Sequence, residues 1–204
     1  RDNGWDMMKR LQALKATKIK WPTAAEIGDN IWIGTVDGTH IRTQEPTHPE
    51  LPKDKKAFSY KNHAAGLSYE IVVSLWESRI IWMNGPFQAS TNDATIFAMP
   101  GGLKEKLEGT GRRLIADRGY TGHRDFISTM NSHDSPEVSK LKTRARLRQE
   151  GVNSKIKTLK VADSARFHHR GKHVDGQPKF KICFEVAVVV TQYKMAITET
   201  LFDV

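Results

Sequence analysis

Residues Ile31–Ile41 read IWIGTVDGTHI, and this stretch decides the fold class of the chain. Its β-branched and aromatic side chains predict a buried strand, with Asp37 at the end of the apolar part. A buried carboxylate is destabilising unless it is paired or bound to a metal. The stretch therefore predicts a core strand that carries a functional acid.

The segments around this strand predict a mixed α/β domain. Gly66–Trp76 and Arg79–Phe87 are apolar strands separated by a two-residue turn, which is typical of a hairpin. Arg113–Ala116 predicts a short strand, and Phe126–Met130 predicts a short helix. The remaining predicted helices are Trp5–Ala16, Asn92–Met99, Leu103–Leu107, Lys140–Val161 and Phe180–Thr200. We divide the chain into an N-terminal helical segment, 1–24, and one domain, 25–204.

Composition excludes several classes of protein. With 204 residues that are 38% hydrophobic, the chain can bury a core and is not a disordered protein. The single cysteine, Cys183, leaves no internal disulfide and no CxxC-type zinc site, and it predicts a buried thiol in reducing, intracellular surroundings. No stretch approaches the roughly 20 apolar residues that span a bilayer. The start at Arg1 indicates a fragment or a processed chain.

Positive charge is concentrated in one part of the chain. Lys140–His173 contains eleven Lys and Arg residues and two acidic residues. The net charge of this segment therefore equals the net charge of the whole chain, +9. Such a stripe favours a nucleic-acid-binding surface, because each neutralised phosphate releases counterions. An ordinary solvated helix face is the alternative. We expect affinity for nucleic acid that is strong at low salt and largely independent of sequence.

Three acids, Asp37, Asp117 and Glu150, form the candidate catalytic set. Asp117 follows an apolar strand, and adjacent strands would bring it beside Asp37. Two carboxylates there repel each other unless a divalent cation bridges them. Glu150 stands on the long basic helix, where an ion pair with Arg146 is the alternative to a catalytic role.

Helical periodicity divides this basic helix into two faces. The apolar stripe that should face the core comprises Leu141, Ala145, Val152, Ile156 and Leu159. The opposite face surrounds Glu150 with Lys142, Arg146, Asn153, Lys157 and Lys160. We predict that four of these bind nucleic acid: Lys142, Arg146, Lys157 and Lys160.

Four motifs together resemble one family. They are IGTVDGTHI at 33–41, STNDATIF at 90–97, LIADRGY at 114–120 and RARLRQEGVNSKIK at 144–157. Their order and spacing resemble the PIF/Harbinger-type DDE superfamily of transposases and nucleases, which includes the Harbinger transposase-derived nuclease-like proteins. The second motif differs from the family pattern, since Ala89 stands where a glycine is expected.

The resemblance implies a ribonuclease-H-like α/β fold, with a mixed sheet flanked by helices. It implies an endonuclease or transposase that cleaves DNA phosphodiester bonds by a two-metal mechanism, with strand transfer left open. Mg²⁺ or Mn²⁺ would be bound by Asp37, Asp117, Glu150 and, in the second motif, Asp93. Asp93 could instead serve only the first turn of a helix, where a carboxylate favours the helix dipole.

The resemblance also bears on location and partners. It implies the nucleus, and a DNA-recognition module of Myb-like or helix-turn-helix type that lies upstream or on a separate partner protein. Whether the chain forms a homo-oligomer stays open, and no membrane association is expected.

Three rival functions make different demands on the sequence. A domesticated, non-cutting DNA-binding protein that retains the transposase fold would be favoured by loss of a triad acid, and none is missing. An RNA-binding module needs stacking aromatic residues among the basic ones, and 140–160 contains none. A purely structural interaction domain leaves Asp37 and Asp117 unexplained.

Histidines and one polar segment are further candidates. We interpret Phe167–His173, with three histidines, as a DNA-facing basic loop rather than a zinc site, because no acid or cysteine accompanies them. His40 is expected near Asp37 and could support the site. Tyr60–His63 could contact substrate or simply begin the next strand.

Overall fold

A computed structural model describes residues 4–43, 55–61, 63–160, 173–174, 177–197 and 201 of the chain. In this part of the chain one mixed sheet lies between two groups of helices. Its strands are β1 (Trp32–Arg42), β2 (Phe58–Ser59), β3 (Ala64–Ser74), β4 (Ile80–Gln88), β5 (Arg113–Ile115) and β6 (Ile127–Ser128). The helices are α1 (Gly4–Ala13), α2 (Lys15–Lys18), α3 (Ala24–Ile27), α4 (Asp93–Phe97), α5 (Leu103–Leu107), α6 (Pro136–Thr158) and α7 (Lys179–Ile197). A small separate ladder pairs β7 (His173–Val174) with β8 (Gln177–Pro178).

The sheet has the ribonuclease-H-like arrangement. Its path is β2-β3-β1-β5-β6, and β4 also pairs with β3. The first long strands are antiparallel, β1 with β3 and β3 with β4, whereas β5 and β6 run parallel to β1. The antiparallel pairs confirm the predicted hairpin, and the mixed sheet flanked by helices confirms the predicted fold class.

Alternation along the strands gives the sheet two apolar faces. On one face, Tyr69, Ile71 and Val73 of β3 pack against α6 and α7, which supply Val152, Ile156, Phe184 and Val188. On the other face, Val36, Val72 and Leu114 pack against the short helices through Phe97, Leu103 and Leu107. Since both faces are covered, the central strands β1 and β3 form the core of the domain.

The two long helices lie where the sequence predicts them. Helix α6 begins at Pro136, four residues earlier than expected, because the Ser135 side chain accepts from the backbone N–H of Val138 and caps it. Helix α7 is confirmed despite its valine run, since Val186, Val188 and Val189 are buried. Cys183 is also buried, as predicted. Helix α1 packs against α7.

Two predictions of local structure are wrong. Phe126–Met130 contains the strand β6 and no helix, because Ile127 and Ser128 pair with Leu114 and Ile115 of β5. A two-residue strand carries no periodicity of its own, so only the tertiary pairing reveals it. The helix predicted to run to Ala16 ends at Ala13, and the separate short helix α2 follows it.

Some predictions fall on residues outside the described part of the chain. Residues 44–54, in a segment whose prolines and mixed charges predict a loop over Thr43–Lys56, belong to this group, and so do residues 167–172 of the histidine-rich segment Phe167–His173. In the helices that are described, no segment combines the length and apolarity needed to cross a bilayer.

Candidate active site

The register of two parallel strands places two aspartates side by side. Gly34 pairs with Leu114 and Thr35 with Ile115, so Asp37 and Asp117 each lie two residues beyond the last pair. Neighbouring strands are about 4.8 Å apart. Asp37 lies inside β1, while Asp117 follows the end of β5. Because β5 stops at Ile115, the space beside Asp37 opens into a pocket that both acids line.

Asp117 is held by the turn that it begins. Its Oδ1 accepts a hydrogen bond of 2.7 Å from the backbone N–H of Gly119, and it caps the 3₁₀ turn Arg118–Tyr120. Tyr120 is buried below the site and anchors this turn against Phe97. The motif LIADRGY thus positions the carboxylate through local backbone geometry and one aromatic anchor.

Asp93 reaches the same pocket from the first turn of α4. The cap of this helix is Asn92, whose Oδ1 accepts from the N–H of Thr95 at 2.7 Å, so Asp93 is not needed as the cap. A Cβ at Gly38 would overlap Oδ1 of Asp93, and a Cβ at Gly119 would lie 2.8 Å from its Oδ2. That same position on Gly119 is 2.9 Å from Oδ1 of Asp117. Two glycines therefore leave the room in which the carboxylates of Asp93 and Asp117 approach each other.

Burial and repulsion by neighbouring carboxylates raise the pKa of Asp37 and Asp93. For Asp37, burial is the main cause, and the charges of Asp117 and Asp93 add to it, so that its pKa rises to about 6. Burial also raises the pKa of Asp93, although the ammonium group of Lys61 opposes the shift. Nζ of Lys61 lies 3.8 Å from Oδ2 of Asp93. Because the carboxylates that line this pocket repel one another, the pocket is suited to bind a positive charge.

Helix α6 forms the opposite wall of the pocket and brings Glu150 to it. Glu150 is exposed and lines the pocket together with Arg146 and Lys157. In the described residues, no salt bridge joins Glu150 to Arg146. The bond that connects α6 to the acids comes from Asn153, whose Nδ2 donates to Oδ2 of Asp37 at 2.8 Å. The structure thus gathers all four predicted metal-binding residues around one pocket.

The pocket has a volume of about 710 Å³ and basic walls. Lys61 stands on one side, while Arg146 and Lys157 stand on the other. His40 also lines it, and burial is the main reason that its pKa is lowered, with Lys157 and Arg42 contributing. An acidic floor between basic walls can hold a cation next to a phosphate backbone.

Two predictions for the outer face of α6 are corrected by the structure. Lys142 is buried, and its Nζ donates to Asp134 at 2.8 Å and to the main-chain oxygen of Thr129 at 2.7 Å. It fixes the loop before α6 and does not stand on the exposed face of the helix. Asn153 is buried at the pocket rather than on an open face. Lys160 is exposed but does not line the pocket.

The carboxylates do not form a closed metal-binding shell. Among the residues that the structure describes, no group of three or more His, Cys, Asp or Glu residues is placed to hold one ion. The acids instead line one pocket. The strand register places Asp37 beside Asp117, and the carboxylates of Asp93 and Asp117 both lie next to Gly119.

Comparison with known proteins identifies the family. The family model of the DDE superfamily endonucleases matches residues 36–171, which is more than half of the chain. The chain belongs to the DDE superfamily of endonucleases. No curated protein and no solved structure matches it. The matched region contains the Asp37, Asp93, Asp117 and Glu150 of this endonuclease domain.

Sequence reasoning missed one buried acid of the endonuclease domain. Glu70 lies opposite Gly38 in the β1–β3 pair and is fully buried. Neither of its carboxylate oxygens has a hydrogen-bond partner in the described part of the chain. Burial is the main cause that raises the pKa of Glu70 to about 8; the indole of Trp82 offsets part of this shift, and Asp93 adds to it. The detectable signal was a charged residue between Tyr69 and Ile71 in an otherwise apolar strand.

The raised pKa of Glu70 predicts a pH-dependent stability of the metal-free endonuclease. Because the folded protein keeps this proton to a higher pH than the unfolded chain does, the contribution of Glu70 to stability is fully present below about pH 4.5 and is lost as pH rises through about 8. The Glu70→Gln variant removes that loss, so at pH 8.5 it should be more stable than the wild type by about 2–4 kcal/mol. Urea unfolding at pH 5 and pH 8.5 measures the difference.

A matched variant separates this effect from general surface charge. Glu105 is exposed on α5, and Glu105→Gln removes the same charge without removing a buried carboxyl. The stability of the Glu105→Gln variant should equal that of the wild type at both pH values. Equal pH dependence in Glu70→Gln and the wild type would show that Glu70 does not hold its proton in the folded state.

Proposed function

We propose that this domain is a PIF/Harbinger-type DDE nuclease or transposase that cleaves DNA phosphodiester bonds with two Mg²⁺ or Mn²⁺ ions. The observation that carries the proposal is the convergence of Asp37, Asp93 and Asp117 on one pocket, with Glu150 on its opposite wall. The four PIF/Harbinger-like motifs each supply one of these acids. Asp37, Asp117 and Glu150 are the proposed catalytic residues, and Asp93 is an additional metal ligand.

The donor set fits hard divalent ions. Mg²⁺ and Mn²⁺ prefer carboxylate and water oxygens, and they commonly keep several waters beside one or two carboxylates. A pocket of neighbouring carboxylates without a closed shell meets that demand. The glycine spaces at Gly38 and Gly119 also support the fit, because they let Asp93 and Asp117 come close despite their repulsion.

Each group of the pocket has a separate task in this chemistry. Divalent ions supply positive charge for the developing charge on the phosphate and activate water for attack. Asp37 lies inside the rigid strand β1 and Asp117 lies just beyond the end of β5, so they fix where positive charge would be held relative to the sheet. Glu150 lines the same pocket from α6 and would add a carboxylate to the set on that side.

The basic walls account for binding of the DNA backbone. Arg146 and Lys157 on α6, and Lys61 on the opposite side, line the pocket and can bind phosphates on both sides of the scissile bond. Lys160, exposed two residues beyond the end of α6, extends this surface. Contacts to phosphates position DNA without reading its sequence. Binding should therefore be strong at low salt, and recognition of a particular site should need another DNA-binding segment or partner.

Metal-dependent cleavage of plasmid DNA tests the proposal. The wild-type chain should nick supercoiled DNA in Mg²⁺ or Mn²⁺ and should be inactive in EDTA, because the carboxylates cannot stabilise phosphate charge alone. Mn²⁺ binding, measured by calorimetry without DNA, should accompany the activity. Agarose gels resolve the nicked and linear products.

Two other results would contradict the proposal. Nicking that persists in EDTA would show that the pocket does not act through divalent ions. Salt-sensitive DNA binding with neither Mn²⁺ binding nor cleavage would instead favour the domesticated, non-cutting DNA-binding protein.

A further inference from the structure

Two buried amide side chains connect helix α6 with the acidic pocket. Gln149 is 2% exposed and Asn153 is 7% exposed, and they lie one helical turn apart. Nε2 of Gln149 lies 3.4 Å from the main-chain oxygen of Ile71 and 3.3 Å from Oδ1 of Asn153. Nδ2 of Asn153 lies 2.8 Å from Oδ2 of Asp37. Together these contacts run from the backbone of β3 to a carboxylate of the pocket.

The direction of these hydrogen bonds settles the orientation of Asn153. A backbone carbonyl only accepts, so the group of Gln149 that faces Ile71 must be its NH₂. That NH₂ also donates to Asn153, which therefore presents its oxygen to Gln149 and its NH₂ to Asp37. The carbonyl of Ile71 thus orients Gln149, and Gln149 in turn orients Asn153 so that it donates to Asp37.

We propose that Asn153 is a positioning residue that holds Oδ2 of Asp37 and so orients this carboxylate to bind a divalent cation. The inference rests on the proposed function, because there Asp37 is a metal ligand. Hydrogen-bond partners of metal ligands orient them and commonly change metal affinity by about 10- to 100-fold. The other carboxylates of the pocket, Asp93 and Asp117, are placed by glycine spaces and a backbone N–H.

The amide at position 153 suits this task because it donates without carrying charge. A lysine or arginine there would bind Asp37 as an ion pair and would repel a divalent cation. An aspartate would add a further negative charge to carboxylates that already repel one another. Asparagine thus orients Asp37 and keeps its full charge available.

Asn153 also lies close to Glu150 on α6. Glu150 lies three residues before it, so the two side chains are neighbours on the helix surface. The packing of Val152 and Ile156 sets the rotation of α6, and the Asn153–Asp37 bond adds a polar contact on the side that carries Glu150.

Mn²⁺ binding by the full chain tests this role. In Asn153→Ala, the dissociation constant for Mn²⁺ should rise about 10-fold or more, because Asp37 is no longer held. The Mn²⁺ concentration for half-maximal cleavage should rise in parallel, while the rate at saturating Mn²⁺ falls much less. Gln149→Met keeps the volume but removes the group that orients Asn153, and it should change Mn²⁺ affinity in the same direction by a smaller factor.

Gln192→Ala is the matched control for loss of a buried amide. Gln192 is also 7% exposed, and its Oε1 accepts from the N–H of Ile80 at 2.7 Å, on α7 away from the pocket. It should lower the melting temperature and leave Mn²⁺ affinity unchanged.

The outcomes separate this inference from the proposed function. If Asn153→Ala and Gln149→Met bind Mn²⁺ as tightly as the wild type and Gln192→Ala, the positioning role is overturned and the proposed function stands. A wild-type chain that binds no Mn²⁺ overturns the proposed function, and the positioning role with it. If Asn153→Ala does not fold, Gln149→Met decides the question alone.

Discussion

Asp117→Asn should lower the rate of DNA cleavage about a thousandfold, which corresponds to about 4 kcal/mol of transition-state stabilisation. The asparagine oxygen can still accept from the N–H of Gly119, so the turn that begins at residue 117 should persist. The variant removes the charge that lies beside Asp37 in the parallel register. Single-turnover cleavage at saturating Mg²⁺ measures the loss.

An exposed acid nearby provides the control for this variant. Asp125 is exposed and does not line the pocket, so Asp125→Asn removes one negative charge without touching the proposed metal site. It should cleave DNA at close to the wild-type rate. Cleavage within tenfold of wild type by a folded Asp117→Asn variant would refute a catalytic role for Asp117.

Asp93→Asn should reduce cleavage about a hundredfold, with partial recovery in Mn²⁺. A loss of this size corresponds to about 2.7 kcal/mol. The carboxylate lies over Gly38 and beside Asp117, where a missing charge would weaken metal binding. The melting temperature should be unchanged or slightly raised, because burial and Asp117 already oppose ionisation and raise the pKa of Asp93. Cleavage in Mg²⁺ and in Mn²⁺, together with thermal unfolding, separates the two effects.

The helix cap next to Asp93 tests the competing explanation. Asn92→Ala removes the hydrogen bond to the N–H of Thr95 and should cost about 1 kcal/mol of stability. Its effect on cleavage should be small, since the carboxylate of Asp93 stays in place. If Asp93→Asn cleaves normally in Mg²⁺ with an unchanged melting temperature, Asp93 serves only the first turn of α4.

Patterns local in the chain predicted most of the elements of this fold. Runs of apolar and β-branched residues mark β1, β3 and β4, and the apolar stripe of Ala145, Val152 and Ile156 marks the buried face of α6. These signals are reliable because each spans several turns or strand repeats. The two-residue strand β6 was mistaken for a helix, since its conformation depends on pairing with β5.

The acids of the site were also visible in the sequence, because each stands in a motif with recognisable neighbours. Asp37, Asp93, Asp117 and Glu150 were selected there, and the structure brings them around one pocket. Their metal-binding roles stay predictions. What local patterns could not show is how close the carboxylates come, which depends on the strand register and on the space above Gly38 and Gly119.

The sequence by itself therefore determined the strands, the long helices and the acidic residues, because hydrophobic periodicity and short motifs depend on neighbours in the chain. Only the tertiary structure decided the surroundings of individual polar side chains. Helical periodicity predicts Lys142 on an exposed face, yet the residue is buried and its ammonium group donates hydrogen bonds to Asp134 and to the main-chain oxygen of Thr129. Asn153 donates a hydrogen bond to Asp37, and Glu70 is fully buried. Burial and hydrogen bonding of such groups arise from segments far apart in the chain, so no local pattern encodes them.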